Sequence, residues 1–210
     1  MALPRKTLFY YSLADLPVSM SMFPVLVFLP KFYTSEMAVD ITLAASIMLG
    51  VRIFDVVTDP LFGVITDKYP TPWGRRRFWI ALAAPIMMIS IYQLFMPPEG
   101  AGAMHLFGWM FLLSIATTMM IIPYYAWAAE LSPDYNERSV ITGARSMMGV
   151  VGSLAAQLAP AAALFFFAIG GSTAVLEIVG ITMLVLMPIC VYLTVTRVPC
   201  LLYTSDAADE

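Results

Sequence analysis

The chain has 210 residues, of which 60% are hydrophobic and only 12% charged, and its formal net charge is −3. A soluble domain carries about 25% charged residues, so this composition belongs to the bilayer, and no basic surface suits a nucleic acid. Two cysteines and one histidine leave too little for a disulfide framework, a haem or a zinc site.

Six apolar segments are predicted, at Thr7–Pro30, Ile41–Thr66, Phe78–Met96, His105–Ala129, Val140–Ile169 and Ala174–Thr196. Each has the ~20 residues needed to cross a ~30 Å hydrocarbon core. The turn compositions Pro97-Pro98-Glu99-Gly100, Ser132-Pro133-Asp134 and Gly170-Gly171-Ser172 punctuate them. Uninterrupted runs of this length exclude barrel strands and leave an all-α, polytopic membrane protein with the lipid bilayer as its partner. The first run contains Asp15, Pro17 and Pro24, is too long for a signal core, and is read as a retained span. Arg5, Lys6, Lys68, Arg75, Arg76, Arg77, Arg138 and Arg197 precede the first span or follow an even-numbered one, with Lys31 alone on the other side. Both termini are therefore expected in the cytoplasm, with the chain in a plasma membrane, a bacterial inner membrane.

The second span holds the costly residues. Arg52, Asp55 and Asp59 share one helical face. Ionisable side chains facing lipid cost several kcal/mol each, so that face must look into a protein interior or a watery cavity. Counting in from the arginine-bearing ends at 1.5 Å per residue puts Asp59 and Asp15 about 12 Å deep, Asp55 and Thr118 about 18 Å, and Arg145 about 9 Å. Two carboxylates one turn apart, with the hydroxyls of Thr58 and Thr118, are oxygen ligands suited to a hard cation such as Na⁺. Close carboxylates in low dielectric repel, so either a cation or a proton is expected on the pair. The simpler alternative is an internal Arg52–Asp55 salt bridge, which leaves Asp59 and Asp15 unexplained.

Arg145 can hydrogen-bond a polar solute or pair with Asp15 or Asp59. Tyr124, Tyr125 and Trp127 follow Pro123, and an aromatic face with a hydroxyl suits a sugar ring, while Trp127 also suits an interfacial belt. In the loop after span two, Gly63-x-x-x-Asp67 precedes Trp73-Gly74-Arg75-Arg76-Arg77, and Glu130, Asp134, Glu137 and Arg138 crowd the turn after span four. Opposite charges there can clamp helix ends in one conformation and release them in another; plain positive-inside anchoring is the alternative.

These strings resemble the major facilitator superfamily, and within it the glycoside–pentoside–hexuronide:cation symporters, the melibiose permease group. The resemblance rests on Arg52-x-x-Asp55-x-x-x-Asp59-Pro60-x-x-Gly63, Trp73-Gly74-Arg75-Arg76-Arg77-x-Trp79-Ile80, Pro123-Tyr-Tyr-Ala-Trp127 and Glu130-Leu-x-x-Asp134-Tyr-x-Glu137-Arg138 with Arg145. It implies alternating-access symport of a sugar or similar small polar solute with Na⁺ or H⁺, not an enzyme, and no cofactor beyond that ion. The matching positions Asp55, Thr58, Asp59 and Thr118 are then expected at the cation site, with Asp55 and Asp59 as metal ligands if the ion is Na⁺. Asp15, Tyr125 and Arg145 are expected at the solute site, and Arg52, Gly63, Asp67, Gly74, Arg75, Arg76, Arg77, Glu130 and Arg138 in gating or structural roles. Melibiose permease has a lysine at the position of Ala14 and an aspartate at that of Ile121; their loss removes partners that a galactoside's hydroxyls need.

The resemblance implies twelve spans in two halves, of which residues 1–199 supply the amino-terminal six-helix half. The chain alone, without a carboxy-terminal six-helix half, is expected not to transport. Residues 200–210 resemble translated adapter read-through, an ordinary acidic tail being the alternative. Two other functions fit less well: a six-span scaffold or regulator, and an intramembrane aspartyl enzyme, which would place its acids on two helices.

Overall fold

The computed structural model describes residues 4–69, 71, 73–167 and 172–199. The 200–210 tail and the end of the fifth predicted span lie outside the described residues. The helices, in order, are α1 (Arg5–Ser12), α2 (Asp15–Ser35), α3 (Ile41–Lys68), α4 (Arg77–Phe95), α5 (Ala103–Leu131), α6 (Tyr135–Phe167) and α7 (Ser172–Arg197). Arg5–Ser35, Ile41–Lys68, Arg77–Phe95, Ala103–Leu131 and Thr173–Arg197 are long and apolar enough to cross a membrane. α6, with 33 residues, reaches about 50 Å at 1.5 Å per residue, with its charges confined to the first half. The six spans pack as one all-α bundle.

The first predicted span differs from expectation: it breaks between α1 and α2, and α2 runs past Pro30 to Ser35. Pro17 has no N–H to offer the Leu13 carbonyl four residues back. That carbonyl instead accepts from the Leu16 N–H at 3.2 Å, a tighter turn that interrupts the helix beside Asp15. The break is pinned from α5. The Tyr11 hydroxyl donates to the Tyr124 carbonyl and the Tyr124 hydroxyl to the Tyr11 carbonyl, both at 2.7 Å, while the two rings stack at 4.7 Å.

α2 packs chiefly on α6 and α7, α4 on α5 and α7, and α3 on α5. Between lipid-immersed helices small residues allow close approach. A Cβ on Gly152 would strike the Leu16 carbonyl, and one on Gly149 would lie 2.5 Å from the Asp15 carboxylate. α3 exposes Ile53, Val56, Val57 and Leu61, and α6 exposes Val150, Leu154 and Leu158.

Candidate functional site

α3 and α5 run in the same direction, because α4 carries the chain back between them. Their contacts keep one register. The Ser114 hydroxyl donates to Asp55, the Thr118 hydroxyl donates to Asp59 at 2.7 Å, and a Cβ on Gly63 would sit 3.9 Å from Ile122 Cγ2. Each pair is offset by 59 residues, the first two explicitly so, and each follows the last by one helical turn. Two carboxylates on one helix thus meet two hydroxyls on its parallel neighbour. Depth counting matched Asp55 with Thr118; the structure corrects this to Asp59 with Thr118 and Asp55 with Ser114, because α5 sits about one turn along from that estimate. Ser114 was missed by sequence reasoning. The signal that would have found it is the four-residue spacing Ser114, Thr118, which repeats that of Asp55, Asp59.

Thr58 is placed differently from expectation. It is buried, its hydroxyl points to the carbonyls of Phe54 and Asp55 on its own helix at 3.3 and 3.4 Å, and it does not line the cavity formed by its neighbours. Threonine in a helix readily back-bonds in this way. Arg52 reaches Asp55 at 3.4 Å with 58% of its side chain exposed, so the anticipated salt bridge is present and weak.

Asp55 and Asp59 open on a cavity of about 330 Å³, whose wall also includes Asp15, Arg52, Ser114, Thr117, Thr118 and Tyr125. Apart from Ser19 and Ser21 the remaining wall is apolar, with Val18, Met22, Val25, Ile121 and Ile122 among it. A second cavity of about 410 Å³ lies against α6 and brings in Arg145, Ser146, Ser153 and Gln157. Asp15, Ser19 and Tyr125 line both. Asp15 itself is 7% exposed, held at the α1–α2 break and backed by Gly149. Arg145 lays its guanidinium over the Tyr125 ring, 3.8 Å from the centroid, a cation–π contact that leaves its N–H edge for other partners. Of the three aromatic residues after Pro123, only Tyr125 faces these cavities. Tyr124 is buried on Tyr11, and Trp127 is fully buried rather than in an interfacial belt, donating to the Pro199 carbonyl at 3.2 Å.

Among the described residues no three His, Cys, Asp or Glu side chains converge as a transition-metal site would require. Two carboxylates with two hydroxyls are instead a hard-oxygen set that fits Na⁺ or a proton and suits no soft metal.

At the arginine-bearing end, Gly74 takes φ +99°, a left-handed turn that glycine enters without a Cβ clash. It presents two arginines to Glu130: Arg75 at 2.8 Å and Arg76 at 2.8 Å. Arg76, 6% exposed, also holds Asp67 at 2.6 Å. These ion pairs join Asp67, Arg75, Arg76 and Glu130 and tie the end of α3 and the start of α4 to the end of α5. Arg77 turns away and donates to the Val198 carbonyl. Arg138 donates to the Ser132 carbonyl at 2.7 Å, while Asp134 caps α6 by accepting from the Asn136 and Glu137 N–H groups at 2.7 and 3.1 Å.

Residues 10–199 match the family described as MFS/sugar transport protein. An isoprimeverose transporter of Lactiplantibacillus pentosus is 26% identical over 155 residues, 71% of this chain and 32% of its own length. A glucuronide carrier protein homolog of Escherichia coli is 26% identical over 153 residues, 71% of this chain and 33% of its own. The sodium-dependent lysophosphatidylcholine symporter 1 of Mus musculus is 32% identical over 136 residues, 60% of this chain and 26% of its own. The chain spans about a third of the length of the curated relatives it matches. With its helical bundle, its in-register acids and its arginine clamp, the chain belongs to the MFS/sugar transport protein family, among the glycoside–pentoside–hexuronide:cation symporters of the major facilitator superfamily.

Proposed function

We propose that the chain is the amino-terminal six-helix half of a Na⁺- or H⁺-coupled symporter for a sugar or similar small polar solute, with both termini cytoplasmic in a bacterial inner membrane. One observation carries this: Asp15 of α2 and Asp55 and Asp59 of α3 line a single cavity with the hydroxyls of α5. Acids at that depth persist when an ion or proton neutralises them beside a polar passage.

In this scheme a cation sits among Asp55, Asp59, Ser114 and Thr118 and takes their oxygens in place of its water shell. The solute lies next to it. Asp15 accepts from its hydroxyls, Arg145 donates to its oxygens, and Tyr125 offers a ring face, as sugars require. The two sites share a wall, so neutralising the α3 carboxylates lowers the field at Asp15, and each ligand strengthens the other reciprocally. The clamp of Asp67, Arg75, Arg76 and Glu130 holds the cytoplasmic helix ends together in one state and opens in the other. The second half, supplied by further chain, closes the passage over the exposed faces of α3 and α6.

Uptake is the test. The complete transporter, in cells lacking their own sugar permeases, is offered labelled isoprimeverose, a glucuronide and lactose under imposed Na⁺ or pH gradients. Gradient-dependent accumulation of one of them, lost in Arg145→Gln, is expected. Failure of every sugar, with or without a gradient, would remove the solute assignment.

A further inference from the structure

α4 and α7 carry prolines at their middles, Pro85 and Pro188, and the helix faces around them are small at Ala81 and Ala84. These small side chains and prolines line a groove of about 680 Å³ between the two helices. It shares no residue with the two polar cavities, and so belongs to a different face of the bundle. Along α4 it runs from Arg77 to Met88, about 16 Å at 1.5 Å per residue, close to the ~15 Å depth of one leaflet.

The arginine-bearing mouth of the groove is distinct from its walls. Trp73, 68% exposed, lines the groove there, an amphipathic ring of the kind that settles at headgroup level, while Tyr192, 67% exposed, lines it further along α7. Arg77 lines the same end as Trp73. Among the described residues it makes no ion pair, its Nε is buried without a partner, and its nearest other contacts are the Val198 carbonyl and the Trp127 ring at 6.0 Å. α4 begins at this residue with no side chain capping its first N–H groups, a second positive element aimed the same way. We propose that this groove binds an anionic glycerophospholipid of the surrounding bilayer, its phosphate on Arg77 and the start of α4 and one acyl chain along the α4–α7 cleft. Basic pockets between spans on the cytoplasmic side favour such headgroups.

The test uses the whole 210-residue chain, purified in a non-ionic detergent and examined by native mass spectrometry with equal phosphatidylglycerol or phosphatidylcholine. The wild type should retain one phosphatidylglycerol in preference to phosphatidylcholine. Arg77→Gln should reduce that adduct about fivefold, the factor one cationic contact at a membrane surface supplies, and Arg77→Lys should largely restore it. Ala81→Phe fills the cleft while keeping Arg77, so it should lose the lipid even if the arginine variants fail to assemble. Equal retention of both lipids, an unchanged adduct in Arg77→Gln and Ala81→Phe, or a lipid-free dimer that Ala81→Phe dissociates would each overturn the assignment.

Discussion

Ser114 and Thr118 show how a membrane protein keeps acids in its interior. Each carboxylate receives a hydroxyl from the same neighbouring helix, in one register, and a hydrogen bond to a charged group contributes about 1.5–3 kcal/mol. Ser114→Ala and Thr118→Val should therefore each raise the cation concentration for half-maximal uptake by about tenfold. Thr58→Val should change it little, since that hydroxyl stays on its own helix. Equal losses in all three variants would contradict the ligand set. The aspartates were legible from sequence because a charge in an apolar run has few inexpensive explanations. Ser114 was not, because a serine in such a run is unremarkable, and only the neighbouring helix decides whether it bonds to itself or to an acid. At the other end of α3, Asp40 caps the helix by accepting from Thr42 and Leu43 N–H at 2.8 and 3.2 Å, which holds its carboxyl below its ordinary value of 3.8. A depressed carboxyl stabilises the fold above its unfolded value and loses that contribution as pH falls through the folded one. Asp40→Ala should thus lower the melting temperature at pH 7, and the gap to wild type should close in strongly acidic buffer.

Helix spans were readable from hydropathy to within a few residues, since length and apolarity alone decide which segments can cross a bilayer. The break at Leu13 and the seating of α2 on α6 were not. They depend on a proline depriving one carbonyl and on glycines whose missing Cβ atoms admit a neighbour. Gly149→Ala should weaken solute binding while leaving the cation response, because the added methyl presses on the Asp15 carboxylate and the Ser19 hydroxyl. Gly152→Ala meets backbone instead, at Leu16, and should lower the yield of folded protein. A binding assay and a detergent-melting curve separate the two. At the clamp, Glu130→Gln leaves Arg75 and the buried Arg76 without their shared carboxylate. Removing one member of a buried charged pair is destabilising, so a melting-temperature drop is expected, larger than that for Asp67→Asn, whose side chain is 57% exposed.

On the scale of the whole molecule, the two polar cavities open among α2, α3, α5 and α6, and the exposed apolar faces of α3 and α6 flank them. Family and fold followed from motifs in the α3–α4 loop and along α3; that Asp15, Ser19 and Tyr125 line both cavities required coordinates, because α2, α3, α5 and α6 meet only in three dimensions. Expressed alone, the chain should insert and yet accumulate no labelled sugar, since one half encloses no passage. Measurable uptake by it would refute the two-half scheme. The most direct test of cation coupling compares wild-type transporter with Asp59→Asn in vesicles, measuring accumulation down an imposed Na⁺ or proton gradient against exchange of solute at equal concentrations. The variant is expected to lose accumulation and keep exchange, whereas gradient-driven accumulation equal to wild type would show that the ion binds elsewhere.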